Sequence, residues 1–128
     1  LEFNLSINRE AYNLEAFVKR IGKDLLVAIW GGERPHIGAV AAAQPRPSLR
    51  DQNRLSATAS VFSYVGHKEH GIAKEAAERL SAALNTNVTV TAGIHGDDID
   101  EAGIRVVLEH SRQLVDMIIE RVTASESK

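Results

Sequence analysis

The stretch Leu25-Leu26-Val27-Ala28-Ile29-Trp30-Gly31-Gly32-Glu33-Arg34-Pro35-His36-Ile37-Gly38 decides how this chain is read. An apolar run leaves through two glycines into a polar loop. It then enters a second apolar run, Ala39-Val40-Ala41-Ala42-Ala43. Short apolar runs bounded by turn residues are the pattern of buried strands. Gly31, Gly32, Arg34, His36 and Gly38 therefore share one loop at the end of a sheet, stiffened by Pro35, which also restricts Arg34 before it. A second stretch has the same form: Thr91-Ala92-Gly93-Ile94-His95-Gly96-Asp97 runs out through glycine into histidine. The two loops are expected to meet and form one site.

Working outward, residues 2–9 alternate, with Phe3, Leu5 and Ile7 against Asn4, Ser6 and Asn8, a half-buried strand. Residues 11–21 fit either a strand or a helix. The tight turn Gly22-Lys23-Asp24 leading straight into the next strand favours a hairpin. After strand 37–43, Gln44-Pro45-Arg46-Pro47-Ser48 is expected to break the strand and open a mobile loop over 44–53. Its Arg46 and Arg50, with Arg54 beyond, either keep that loop solvated or form a flap over an anionic ligand. Strand 55–64 follows. Ile72, Ala73, Ala76, Ala77, Leu80, Ala83 and Leu84 make one stripe on a helix over about 69–84, with Asn85 as its stop. Val88-Thr89-Val90-Thr91 reads as a central strand. A last helix over about 99–122 is expected to begin at an Asp98 cap with Glu101 three residues on.

Strands first, then helix, strand and helix, predict an α+β fold: a mostly antiparallel sheet of five to six strands with two helices packed on one face. At 128 residues one domain is expected, 1–122, with a frayed polar tail at 123–128. The open face of such a sheet makes a homo-oligomer reasonable. A net charge of −2 gives no global basic excess for nucleic acid. No apolar run approaches the ~20 residues of a membrane span. Without cysteine there are no disulfides or thiolate metal sites, and cytoplasmic is the default location.

Of five histidines, His110 sits beside Glu109 and Arg112 in the last helix and is read as a surface residue. His36, His67, His70 and His95 all fall at junctions between loops and elements. Together they could ligate zinc, although no histidine-carboxylate zinc signature accompanies them. A phosphate site is the better fit. Gly31, Gly32 and Gly38 can offer backbone N–H groups, the helix near 69 offers its positive end, and Lys68 and Arg34 bring charge. The same glycines would serve equally as turn formers.

The blocks Gly31-Gly32-x-x-Pro35-His36-Ile37-Gly38-x-Val40, His67-Lys68 before a helix, and Thr91-Ala92-Gly93-Ile94-His95 resemble the small D-type subunit of gallate decarboxylase. That family is described as a prenylated-flavin chaperone-like domain, and the resemblance spans about residues 14–120. It implies an accessory protein, without decarboxylase activity of its own, that binds or delivers prenylated FMN. Its partners would be a large prenylated-FMN-dependent decarboxylase subunit and a flavin prenyltransferase. The matched positions are His36, His67, Lys68 and His95, with Gly31, Gly32, Gly38 and Gly93. His70 and the loop 44–54 depart from the family pattern.

Overall fold

The computed structural model describes residues 1–9, 12–64, 69–95 and 99–126. Six strands and two helices follow one another as β1 (Glu2–Ile7), β2 (Leu14–Ile21), β3 (Asp24–Gly32), β4 (Ala39–Pro47), β5 (Leu55–Ser63), α1 (His70–Leu84), β6 (Val88–His95) and α2 (Glu101–Glu126). The strands form one sheet in the order β1-β2-β3-β6-β4-β5. Pairing is antiparallel except between β3 and β6, which run parallel. The fold is α+β with a mostly antiparallel sheet, as the element order predicts.

The period of two decides which face is covered. Leu14, Ala16 and Val18 on β2, Leu25, Val27 and Ile29 on β3, Val88, Val90 and Ala92 on β6, and Ala39, Ala41 and Ala43 on β4 are all buried. Both helices pack on that face. From α1 come Ala73, Ala76, Ala77 and Leu80, and from α2 Leu114, Val115, Ile118 and Val122, joining one core. The run of alanines on β4 suits the alanine stripe of α1, because small side chains on both partners let helix and strand approach. Arg79–Asp116 at 2.6 Å and Arg112–Glu75 at 2.7 Å tie α1 to α2 at the surface. Residues 14–21 form the strand of the hairpin rather than a helix, with Leu14, Ala16 and Val18 buried on alternate positions.

Three expectations about elements are corrected. First, β4 does not stop at Gln44 but runs on through Pro47, paired with β5 as far as Pro47↔Leu55. Its pairing to β6 ends at Ala43↔Val88. Beyond Ala43 the strand has a neighbour on one side only, and a proline that cannot donate to a ladder is tolerated on such an edge. Second, α2 continues to Glu126, past the expected end near 122. Third, Asp100 caps that helix, its Oδ1 accepting from Gly103 N–H at 2.8 Å. Asp98, the expected cap, lies outside the described residues. Asn85 does end α1, in the left-handed conformation with φ 51° and its N–H donated to the Ser81 carbonyl.

The direction of the strands sorts the loops. The carboxyl ends of β3, β5 and β6 and the start of β4 lie at one end of the sheet. The turn 48–54 lies at the other, roughly 26 Å away along β4 at the usual rise per strand residue. The arginine turn therefore cannot act as a flap over the glycine loops. It is closed on itself, with Ser48 N–H donating to the Arg54 carbonyl at 2.8 Å and Asn53 N–H to Asp51 Oδ1 at 3.0 Å.

Candidate functional site

The parallel pairing of β3 and β6 sets Gly31 opposite Ile94 and Gly32 opposite His95, so both strands deliver their loops to the same place. Just past the pair, Glu33 N–H donates to the His95 carbonyl at 2.8 Å. The segment 33–38 then crosses to begin β4, where Gly38 N–H donates to the Ala92 carbonyl at 2.9 Å. His36 and His95 come together, ring centroids 6.2 Å apart and nearly edge-on at 74°. The two histidine loops do meet.

Their contact requires the glycines for closeness. A side chain at Gly93 would collide with the His36 carbonyl, at Gly32 with the His95 carbonyl, and at Gly31 with the Asn13 carbonyl. Gly32 also has φ +79°, which L side chains resist. The supply of free amides expected from Gly32 and Gly38 is not there. Gly32 N–H faces the Asn13 carbonyl at 3.3 Å, and Gly38 N–H is in the sheet. Gly31 and Gly32 are positions where backbone approaches backbone, Gly38 is one where backbone meets the Glu69 carboxyl, and the amides of Gly32 and Gly38 are already engaged.

Residue-type reasoning missed Glu69. It precedes the first turn of α1 and is buried, at 8% exposure. Its Oε1 lies 2.9 Å from His36 Nε2 and accepts from Ile94 N–H at 3.3 Å. Gly38 lies flush against its carboxyl, where a Cβ would collide with the carboxylate. His36 Nδ1 meets the Arg34 carbonyl at 2.9 Å. A carbonyl only accepts, so Nδ1 carries a hydrogen, and a further hydrogen lies between Nε2 and the carboxyl oxygen. The signal that was available is the acidic residue itself, set among His67, Lys68 and His70 directly before an apolar helical stripe.

Beside this cluster, on the face of the sheet opposite the helices, a cavity of 340 Å³ is lined by Ala28, Ile29, Trp30, Pro35, His36, Ile37 and Thr91. Trp30 is held by its indole N–H, which donates to Glu15 Oε2 at 3.1 Å. Arg34 is exposed, and its side chain has no ion pair among the described residues. His70 opens α1 and is exposed. His67 and Lys68 lie outside the described residues. No group of three metal-ligating side chains occurs among the described residues, which do not include His67. No helix of the described residues is long and apolar enough to cross a membrane.

His110 is not a surface residue. It is buried at 2%, and its Nδ1 donates to the Tyr12 carbonyl at 2.9 Å. Its place on the inner stripe follows from Val107 three residues before it and Leu114 four after. Charged neighbours in sequence concealed a buried position in space.

The architecture and the cluster define a small α+β domain in which two histidines and a carboxylate meet beside a cavity. Comparison with known proteins says which such domain it is. A family model described as the prenylated flavin chaperone LpdD-like domain matches residues 8–123, and the chain belongs to that family. It is similar to Protein LpdD of Lactiplantibacillus plantarum, 32% identical over 110 residues that cover 84% of this chain and 76% of that protein. Its fold is similar to a chain in the crystal structure of a novel chaperone complex for yeast 20S proteasome assembly. The TM-score there is 0.54 at 13% identity, covering 92% of this chain and 94% of that one. At that identity the likeness concerns the fold alone.

Proposed function

We propose that this chain is an accessory subunit or chaperone that binds prenylated FMN and delivers it to a large prenylated-FMN-dependent aromatic acid decarboxylase, without decarboxylating anything itself. The observation that carries the proposal is the cavity walled by Trp30, Pro35 and Ile37 and bordered by His36. Its volume is at the small end of small-molecule sites, which run from about 300 to 1,000 Å³. A planar ring system suits walls of indole, proline and isoleucine, and the Arg34 guanidinium supplies charge for a phosphate. The residues present fit the flavin in kind: an apolar slot for the ring, imidazole at its border, and a nearby loop cation for the anionic tail.

In this reading Trp30, Pro35 and Ile37 bind the ring and exclude water from one side. Arg34 engages the phosphate. His36 and His95 orient the polar edge, and Gly31, Gly32, Gly38 and Gly93 permit the close approach that places them. The prenylated flavin acts as the electron-accepting group of the decarboxylase once transferred, so the chaperone needs binding and release rather than catalysis. His67 and Lys68 enter through the resemblance. A flavin prenyltransferase is the expected supplier of the cofactor. The part-exposed Val40 and the exposed Phe62 on the helix-free face support a homo-oligomer or docking to the large subunit there.

The test is co-expression with a decarboxylase and a flavin prenyltransferase. His36→Ala, His95→Ala, Arg34→Ala and Lys68→Ala variants should each support less decarboxylase activation than the parent, at equal soluble yield. Activation equal to the parent in all four would sink the site assignment.

A further inference from the structure

The buried carboxyl of Glu69 has a purpose beyond packing. We propose that Glu69 is a positioning residue, which holds His36 by Nε2 so that its Nδ1–H is presented as the hydrogen-bond donor to an acceptor oxygen of the bound flavin, displacing the Arg34 carbonyl. This rests on the flavin reading above and names the donor that the site uses.

The two ends of the His36 ring differ in what holds them. The Nε2 end is inside: the Glu69 side chain is 9% exposed and that of His36 is 21% exposed. Glu69 is itself fixed from three directions, by His36, by Ile94 N–H at 3.3 Å and by the bare Cα of Gly38 against its carboxyl. The Nδ1 end is outside, and its partner is a carbonyl only two residues back in the same exposed loop. Giving up the inner contact strands buried polar groups, whereas giving up the outer one returns a carbonyl to water. Exchange with a ligand therefore happens at Nδ1. The Arg34 carbonyl can only accept, so the hydrogen on Nδ1 lies at the outer end of the ring, where a ligand oxygen can take the place of the carbonyl. The His95 ring, edge-on at 6.2 Å, limits rotation of the imidazole away from this pose. His36 belongs to the cavity lining, so its ring borders the same space as the flat walls.

The test uses FMN as the probe and reads the side-chain nitrogens of His36 by 15N NMR. Added FMN should move the Nδ1 resonance of the parent chain more than the Nε2 resonance. Glu69→Gln keeps the shape of the side chain and removes its charge, so a neutral ring holds one hydrogen where the two contacts of the parent pose call for two. That variant should bind FMN about tenfold more weakly, the loss of one hydrogen bond of charged character, and lose the Nδ1 response. Glu69→Asp should restore part of both. FMN binding with an unmoved Nδ1 in the parent would overturn the proposal and leave the flavin reading standing. No FMN binding by the parent at all would overturn both. The parent titration needs no variant, so a Glu69→Gln chain that fails to fold does not remove the test.

Discussion

The two ends of the sheet are made from similar residues and behave differently. At one end Gly22 turns the chain from β2 to β3 with φ +61°, and nothing lies within 4 Å of where its side chain would be. At the other end Gly93 has no such φ, and a side chain there would strike the His36 carbonyl. One glycine serves the backbone's conformation and the other serves a neighbour's approach. Charged groups divide the same way. In the turn 48–54, Arg50 and Arg54 stand exposed with Leu49 at 91% exposure, held only by local turn bonds. At the histidine end Glu69 and His36 are drawn into a pair at 2.9 Å. One end leaves its charged groups exposed, and the other brings a carboxyl and an imidazole against each other.

Substitutions can break this contrast, the largest expected effect first. Gly93→Ala should destabilise the fold by about 3 kcal/mol in urea unfolding, since the His36 backbone must move to admit the methyl group. Gly22→Ala should cost only about 1 kcal/mol, the penalty for a side chain in the left-handed region with open space around it. Equal losses at the two positions would erase the distinction between the ends. Glu69→Ala should cost about 2 kcal/mol by stranding His36 Nε2 and Ile94 N–H. His110→Ala should cost a similar amount, about 2 kcal/mol, by leaving the Tyr12 carbonyl unmet in the interior, yet FMN affinity should stay unchanged because His110 lies on α2 away from the cavity. Arg50→Ala and Arg54→Ala should sit within about 0.5 kcal/mol of the parent and leave decarboxylase activation untouched. A marked loss of activation in either would give the arginine turn a role that its distance from the histidines denies.

The fold was largely legible because its signals are periodic. Alternation on β1 and β2, the apolar run of β3, the β-branched run of β6 and the alanine stripe of α1 each state their element locally. What alternation could not convey was context beyond the strand itself. Pro45 and Pro47 break a strand with neighbours on both sides, but β4 has only β5 beside it there. The arrival of His36 and His95 at one place was legible from two matching glycine-to-histidine exits. The partner that organises them was not, because Glu69 is distant in sequence from both and a glutamate at a helix start is ordinarily solvated. His110 was misjudged for the converse reason: its neighbours in sequence are charged while its neighbours one turn away are apolar. The glycines were legible as important positions and misread in purpose, since spacing alone does not tell a donated amide from a missing side chain.

The measurement that bears most directly on the central claim is native mass spectrometry of the chain co-expressed with a flavin prenyltransferase and kept anaerobic. The account predicts a mass increment matching prenylated FMN, about one per chain if this cavity holds one flavin, lost when Arg34 and His36 are both replaced by alanine. The same spectrum reports the oligomer. A bare polypeptide mass in the parent, under conditions where the prenyltransferase is shown to have made its product, would contradict the account and leave the glycine loops as architecture alone.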